Sequence, residues 1–259
     1  MVFFENRMIR IVVFSVLLLL RELRELGYLL RYHYFFLPWI DVAFWYRCAY
    51  LFRSPHHVAR IWMHQNGIEI HKPNHSFTYG STPLRTWDLI LSRVGITKGT
   101  VVFDVGCGTG LGCFFLARRL QSRVVGIEYS DAFMKKAAWL QTRIHGVQPY
   151  FVHGDARMID YRDADVVYLF STTFTPELYQ DLTERMKETL IEGALVLSVS
   201  APLPKSDSFS VIDEFDVPYF FGFCTVYVHR FLGSEIVRKE EVSTHSFSEV
   251  FAEKQKERF

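Results

Sequence analysis

Hydrophobic residues are arranged along this chain in short, mostly apolar runs, separated by segments in which they recur at helical spacing. The runs include residues 101–105, 124–128, 164–170 and 194–200. Runs of this length predict strands buried on both faces, as in a parallel sheet. Residues 178–190 carry Leu or Met at every fourth position, which indicates an amphipathic helix. Strands that alternate with helices predict a doubly wound α/β domain.

Local signals refine this pattern. Pro83 with Thr82 as N-cap, and Pro176 with Thr175, each predict a helix start. The segment after residue 200 is rich in Pro, Ser and Asp, which predicts a polar loop. Residues 221–231 are strongly β-prone and predict a long strand or a hairpin.

The first 52 residues are more hydrophobic than the rest of the chain. Residues 11–20 are apolar except for Ser15, and residues 34–52 are rich in Phe, Trp and Tyr. The charged run at 21–25 stands where a signal peptide would have small cleavage-site residues, and the apolar run is too short to span a bilayer. We expect residues 1–52 to form an uncleaved, membrane-associated helical segment. The alternative is a pair of helices packed on the domain that follows.

The remaining chain divides by composition. Residues 53–76 are expected to be a linker, 77–232 the α/β domain and 233–259 a charged tail. Five histidines fall between residues 53 and 78, but none belongs to an HExxH helix, and Pro73 interrupts the one HxxxH spacing. We therefore expect no metal site.

Chemistry concentrates at residues 104–110, where Asp104 precedes a glycine at every second position. Such glycines indicate a turn in which the backbone approaches a ligand closely. A dinucleotide fingerprint needs G-x-G-x-x-G, but Leu111 or Cys113 stands where its third glycine belongs. The pattern present is D-x-G-x-G-x-G.

Two acids follow at the ends of predicted strands. Glu128 can accept hydrogen bonds from both ribose hydroxyls, as an acid does at this position in nucleotide-binding βαβ units. Asp155 can accept a hydrogen bond from the amine of an adenine. Its alternative role is to cap a local turn.

Charge and cysteine content exclude some classes. A net charge of +1 argues against binding to nucleic acid, and four scattered cysteines imply neither a disulfide framework nor zinc. We expect an intracellular, membrane-associated protein. With 24 phenylalanines in the chain, no aromatic residue is functional on its identity alone.

The glycine pattern resembles the first motif of the class I, seven-strand S-adenosylmethionine-dependent methyltransferases. Residues 79–82 (Y-G-S-T) and the stretch from 165 to 203 are similar to the non-SET histone lysine methyltransferases, the disruptor-of-telomeric-silencing family. The likeness covers residues 77–230. The membrane-anchored mitochondrial lysine methyltransferases are a looser resemblance, since they also place a hydrophobic helix before this fold.

The resemblance implies a seven-strand Rossmann-like sheet, S-adenosylmethionine as cofactor, and roles for particular residues. The cofactor-binding set would be Tyr79, Thr82, Asp104, Gly106, Gly108, Gly110, Glu128, Asp155 and Ala156. The catalytic set would be Tyr79, Ser171 and Phe174, with Phe174 walling a channel for an amine. Ser171 and its predecessor replace two asparagines of the family.

The expected reaction is methylation of a lysine amine on a protein substrate. The residues carry no strong general base between 171 and 175, which suits a nucleophile that loses its proton to water. Two alternatives remain: a membrane-associated methyltransferase of a lipid or quinone, and a non-catalytic cofactor-binding scaffold.

Overall fold

The protein is described by a computed structural model over residues 37–52, 54–67, 80–170, 174–219 and 222–233, together with the helical residues Val16, Leu20 and Leu23. The predictions for most of residues 1–36, and for the tail beyond residue 233, lie outside these ranges. Among the described residues, no helix is both long and apolar enough to cross a membrane.

Helices and strands alternate through the domain. The helices are α1 (Leu37–Tyr50), α2 (Pro55–Gln65), α3 (Leu84–Val94), α4 (Leu111–Leu120), α5 (Asp131–Gln141) and α6 (Pro176–Thr189), with a 3-10 turn at Ala156–Met158. The strands are β1 (Val102–Val105), β2 (Val124–Glu128), β3 (Tyr150–His153), β4 (Val166–Phe170), β5 (Leu195–Val199), β6 (Phe209–Tyr219) and β7 (Gly222–Phe231).

The strands form one seven-stranded sheet in the order β3-β2-β1-β4-β5-β7-β6. Strands β1 to β5 pair in parallel, and β7 is antiparallel to both β5 and β6. Val102 of β1 is in register with Val124 on one side and Val166 on the other. The carboxyl ends of β1, β2 and β4 therefore meet at one edge, where open α/β sheets bind their ligands.

Apolar side chains fill a layer on each face of this sheet. Trp87 of α3 and Phe114 of α4 belong to one buried cluster, and Leu182 and Met186 of α6 belong to the other. The prediction of a doubly wound α/β domain with a seven-strand Rossmann-like sheet is confirmed.

Helix α1 is fastened to the domain by polar contacts as well as packing. The Arg118 guanidinium donates to both carboxylate oxygens of Asp41, at 2.8 and 2.7 Å, and the Tyr46 hydroxyl donates to the Thr109 hydroxyl at 3.2 Å. Because the Arg118 side chain is only 8% exposed, this ion pair is better shielded from water than a surface pair. Residues 37–50 thus follow the alternative of a helix packed on the domain.

Two segments form elements that the sequence interpretation did not assign. Residues 55–65, placed in a linker, form α2, whose first turn is capped by the Ser54 hydroxyl accepting from the His57 amide at 3.3 Å. Residues 209–219, placed in a polar loop, form β6. The alternation of Phe215, Val217 and Tyr219 with polar residues was its signal.

Candidate cofactor pocket and active site

A cavity of about 250 Å³ opens at the carboxyl ends of β1, β2 and β4. Its walls come from α2, from the turns after these strands and from the first part of α6. The lining residues include Ala59, Trp62, Gly80, Gly106, Gly108, Glu128, Tyr129, Phe133, Asp155, Ala156, Phe170 and Phe174.

The glycine turn forms the floor of this cavity. Gly106, Gly108 and Gly110 have φ values of 75°, 55° and 75°, which L-residues rarely adopt. The Gly106 amide donates to the Ile127 carbonyl at 2.8 Å and ties the turn to β2. Gly106 and Gly108 line the cavity, as predicted for cofactor-binding residues.

Gly110, the third glycine of the turn, lies against the ring of Phe151. It does not line the cavity, and a Cβ atom there would lie 2.5 Å from the Phe151 ring. Its missing side chain makes room for Phe151 beneath the turn. The residue therefore supports the cofactor floor from behind, by packing.

Glu128 ends β2 at the cavity wall. Its carboxylate accepts from the Gly108 amide and from the Ser130 amide, both at 2.8 Å. Burial raises the pKa of this carboxyl, while the amide hydrogen bonds oppose that shift. Because one carboxylate has about four acceptor positions, Glu128 retains capacity for a hydroxyl donor.

Asp104 lies below the turn and is 6% exposed. It lines a smaller cavity of about 30 Å³ with Thr82, Gly106 and Thr109. Its Oδ2 accepts from the Cys113 thiol at 3.3 Å, and burial raises the pKa of the carboxyl to about 7. A carboxylate in this position favours a cationic group on the ligand.

Asp155 and Ala156 both line the large cavity, after the end of β3. The Asp155 carboxylate also caps the 3-10 turn by accepting from the Arg157 amide at 2.9 Å, and it pairs with the Arg157 guanidinium at 2.6 Å. That pairing lowers the pKa of Asp155. The capping role weighed for Asp155 is therefore present at a residue that also faces the cavity.

Aromatic rings form the end of the cavity near Gly106, which we call the acceptor end and define by Gly80, Phe170 and Phe174. The Phe174 ring lies 3.7 Å from the point where a Gly106 Cβ would stand. Phe170 stacks on Tyr219, with ring centroids 4.9 Å apart and planes at 7°. The predicted site residues Tyr79 and Ser171 lie outside the described residues.

Thr82 does not cap α3, because the helix begins at Leu84 without a side-chain cap. Its hydroxyl instead lies 2.6 Å from the Tyr168 hydroxyl, which is 2.7 Å from that of Tyr219. Thr82 still borders the smaller cavity beside Asp104, where the methionine end of the cofactor was expected.

Sequence reasoning missed the wall built by α2. Ala59 and Trp62 line the cavity, and Phe133 of α5 packs against them. The Ser54-Pro55 helix start, followed by Val58 and Trp62 four residues apart, was a readable signal. Within the described ranges, no group of three or more His, Cys, Asp or Glu side chains could hold a metal ion.

Comparisons with known proteins show which enzymes this chain is similar to. Residues 102–193 match a family described as a methyltransferase domain. Over 84 residues, which are 31% of this chain and 22% of the relative, the sequence is 38% identical to sterol 24-C-methyltransferase of Eremothecium gossypii. Over 139 residues, which are 48% of this chain and 7% of the relative, it is 27% identical to the histone-lysine N-methyltransferase, H3 lysine-79 specific, of Dictyostelium discoideum.

The fold is similar to that of TrmN from Thermus thermophilus, with a TM-score of 0.50 and 18% identity over 59% of this chain and 50% of that one. The chain spans less than a quarter of the length of the two curated relatives named above.

The order of the seven strands and the family match over residues 102–193 support a methyltransferase domain of class I. The open glycine floor, the carboxylate at the end of β2 and the buried Asp104 fit a nucleoside that carries a cationic amino-acid tail. S-adenosylmethionine is the cofactor of this domain.

Proposed function

We propose that the protein transfers the methyl group of S-adenosylmethionine to the amine of a lysine side chain on a protein. The aromatic acceptor end carries this proposal, because Phe170 and Phe174 form an apolar wall beside Gly106. The similarity to the histone enzyme over 139 residues is a second support, while the similarity to the sterol enzyme over 84 residues supports a lipid acceptor.

The chemistry requires a neutral amine, whose lone pair attacks the methyl carbon while the carbon–sulfur bond breaks. Held by the glycine floor and Glu128, the cofactor would supply an activated methyl group, and a neutral thioether would be the leaving group. An apolar channel lowers the pKa of a lysine amine by disfavouring its charged form. None of the three residues that define the acceptor end carries an ionisable side chain, so the released proton would pass to water.

A lipid acceptor is the second candidate, and it is favoured by the outer face of α1. Phe44, Leu51 and the following Phe52 are 55%, 69% and 92% exposed. Exposed apolar rings beside the exposed Arg47 suit a membrane interface. Residues 1–52 would then hold the protein on a membrane surface, where greasy substrates reside.

One labelling experiment separates these acceptors. The full chain is incubated with S-adenosylmethionine labelled in the methyl group and a whole-cell lysate that includes membranes. The lysine proposal predicts label in protein that hydrolyses to methyllysine, at a level that falls in Glu128→Ala. Label confined to the organic extract would overturn the lysine proposal in favour of a lipid, and no transfer at all would favour the scaffold.

A flotation assay tests separately whether the protein binds a membrane surface. Vesicles of phosphatidylcholine with a minority of phosphatidylserine should carry the full chain upward in a density gradient. Changing Phe44, Leu51 and Phe52 to Ser should abolish flotation, whereas Phe223→Ser, at a 75% exposed ring on β7, should not. Equal flotation of all three proteins, or of none, would contradict contact through this face.

A further inference from the structure

We infer that α2 is a structural wall of the cofactor pocket and that Trp62 contacts the nucleoside part of the cofactor. The inference rests on the assignment of S-adenosylmethionine to the cavity and is independent of the methyl acceptor. Its basis is the place of Trp62, a residue outside the 102–193 stretch that matches the methyltransferase family.

Trp62 is 6% exposed and borders the large cavity. Its ring meets the Tyr129 ring edge-on, with centroids 6.2 Å apart and planes at 86°. Tyr129 directly follows Glu128, the acceptor for ribose hydroxyls. Trp62 therefore stands on the side of the cavity where the nucleoside is expected.

The orientation of this ring is fixed by a hydrogen bond across to α5. The Trp62 indole N–H donates to Asp131 Oδ1 at 2.8 Å, and the other oxygen of Asp131 pairs with Lys135 at 2.6 Å. A buried indole whose N–H is satisfied in this way offers its carbon face to a neighbour without leaving an unpaired donor. The ring is thus held ready for a planar ligand.

The helix that carries Trp62 is itself well anchored. Val58, Ala59 and Met63 pack with Trp62 against Phe133 of α5 and Tyr50 of α1, in one buried cluster. Helix α1 is in turn held by the Asp41–Arg118 ion pair. The wall is therefore built before the ligand arrives, so binding need not order it.

Stacking of an adenine on an aromatic side chain strengthens binding by roughly ten- to hundred-fold. Trp62→Ala should accordingly weaken binding of S-adenosylhomocysteine at least about ten-fold, and Trp62→Phe should weaken it less. The matched control is Trp139→Phe on α5, whose ring packs against Trp45 at 5.9 Å and lies outside the cavity lining.

Tryptophan fluorescence gives a readout that a merely structural role would not produce. S-adenosylhomocysteine should change the emission of the wild-type chain and of Trp139→Phe. The change should be clearly smaller in Trp62→Phe, where, of the described tryptophans, only Trp87, which borders the smaller cavity, remains beside the ligand. Calorimetry with the same ligand measures the affinities, and circular dichroism shows whether Trp62→Ala folds. If Trp62→Ala fails to fold, the fluorescence of Trp62→Phe decides whether Trp62 contacts the ligand.

An emission change in Trp62→Phe as large as that of the wild type, or unchanged affinity in a folded Trp62→Ala, would overturn the inference. A wild-type chain that does not bind S-adenosylhomocysteine would remove the cofactor assignment, and the proposed function and this inference would fail together. If the wild type binds S-adenosylhomocysteine and both Trp62 variants bind it equally well, only the inferred role of α2 is overturned.

Discussion

The two ends of the cavity are built by different means. At the cofactor end, the Gly106 amide donates to the main-chain carbonyl of Ile127, and the Gly108 amide donates to the Glu128 carboxylate at the end of β2. At the acceptor end, Phe170 and Phe174 act through the size and packing of their rings. One end is thus fixed by backbone geometry and the other by side-chain shape.

This difference separates what the fold dictates from what a particular substrate requires. A backbone at positive φ, with strand ends on both sides, leaves few sequence choices, because only glycine adopts it without strain. An apolar wall can be made by many residues at many positions. Substitutions at the cofactor end should therefore damage binding of the cofactor, and those at the acceptor end should damage turnover.

The largest effect is expected from Gly110→Ala. The new methyl group would meet Phe151 at 2.5 Å at a φ of 75°, so clash and backbone strain add. We expect a loss of about 2–4 kcal/mol in the free energy of unfolding, measured by urea denaturation, with weaker binding of S-adenosylhomocysteine as the floor shifts.

Gly95→Ala is the control, because Gly95 has a φ of 77° but no atom within 4 Å of its Cβ position. It should lose only about 1–2 kcal/mol, from backbone strain. If the two variants lose the same stability, Phe151 does not restrict residue 110, and the packing role argued for Gly110 is wrong.

The sequence predicted the strand ends and the glycine turn that form the cofactor end, and the physical reason is locality. Asp104, Gly106 and Gly108 fall within five residues, and Glu128 follows at the end of the next strand, so strand order alone brings them together. Each was placed where the structure has it. Gly110, assigned to the cofactor by the same pattern, also accommodates a ring that belongs to β3, and the sequence pattern did not predict that contact.

The acceptor end and the α2 wall are harder to predict from the sequence. Phe170 was noted as a departure from a family pattern, and its stacking partner Tyr219 comes from a strand 49 residues later that pairs through β7 and β5. Trp62 depends on Asp131, 69 residues away, for its hydrogen bond. Such contacts arise from tertiary packing, and no local pattern encodes them.

The second prediction tests the cofactor end at a side chain. Glu128→Ala removes the ribose acceptor and the partner of the Gly108 and Ser130 amides. Binding of S-adenosylhomocysteine should weaken by about 1.5–3 kcal/mol, measured by calorimetry. Glu128→Gln keeps one carbonyl acceptor and should lose less. Equal affinity in the wild type and Glu128→Ala would place the ribose elsewhere.

The third prediction concerns the acceptor end, where a substitution should change turnover without changing affinity for the cofactor. Phe174→Ala opens the wall beside Gly106, so the amine is held less well, and turnover should fall about ten-fold or more. Affinity for S-adenosylhomocysteine should change little, as should both quantities in the control Phe223→Ala. A matching loss of affinity in Phe174→Ala would mean that the two ends are not separable.

The smallest effect is a pH dependence that arises at Asp104. Burial raises the pKa of this carboxyl to about 7, so the folded protein holds a proton between pH 4 and 7 that the unfolded chain releases. Stability without ligand therefore falls as the pH rises from about 4 to 7, and it levels off above 7, where the carboxyl is ionised in both the folded and the unfolded state. A cationic ligand favours that same ionised form, so affinity for S-adenosylmethionine should rise between pH 6 and 8, by less than about ten-fold.

These opposite trends assign the effect to one residue. Asp104→Asn should be more stable than the wild type at pH 8 and should differ little from it at low pH. The increase of affinity for S-adenosylmethionine between pH 6 and 8 should be mostly absent in this variant. His229, buried with its pKa lowered to about 4, titrates alike in both proteins and cancels in the difference. Thermal unfolding and calorimetry at pH 6, 7 and 8 measure the two quantities. If Asp104→Asn keeps the full pH dependence of affinity, Asp104 does not respond to the charge of the cofactor, and its buried carboxylate serves only the packing of the glycine turn.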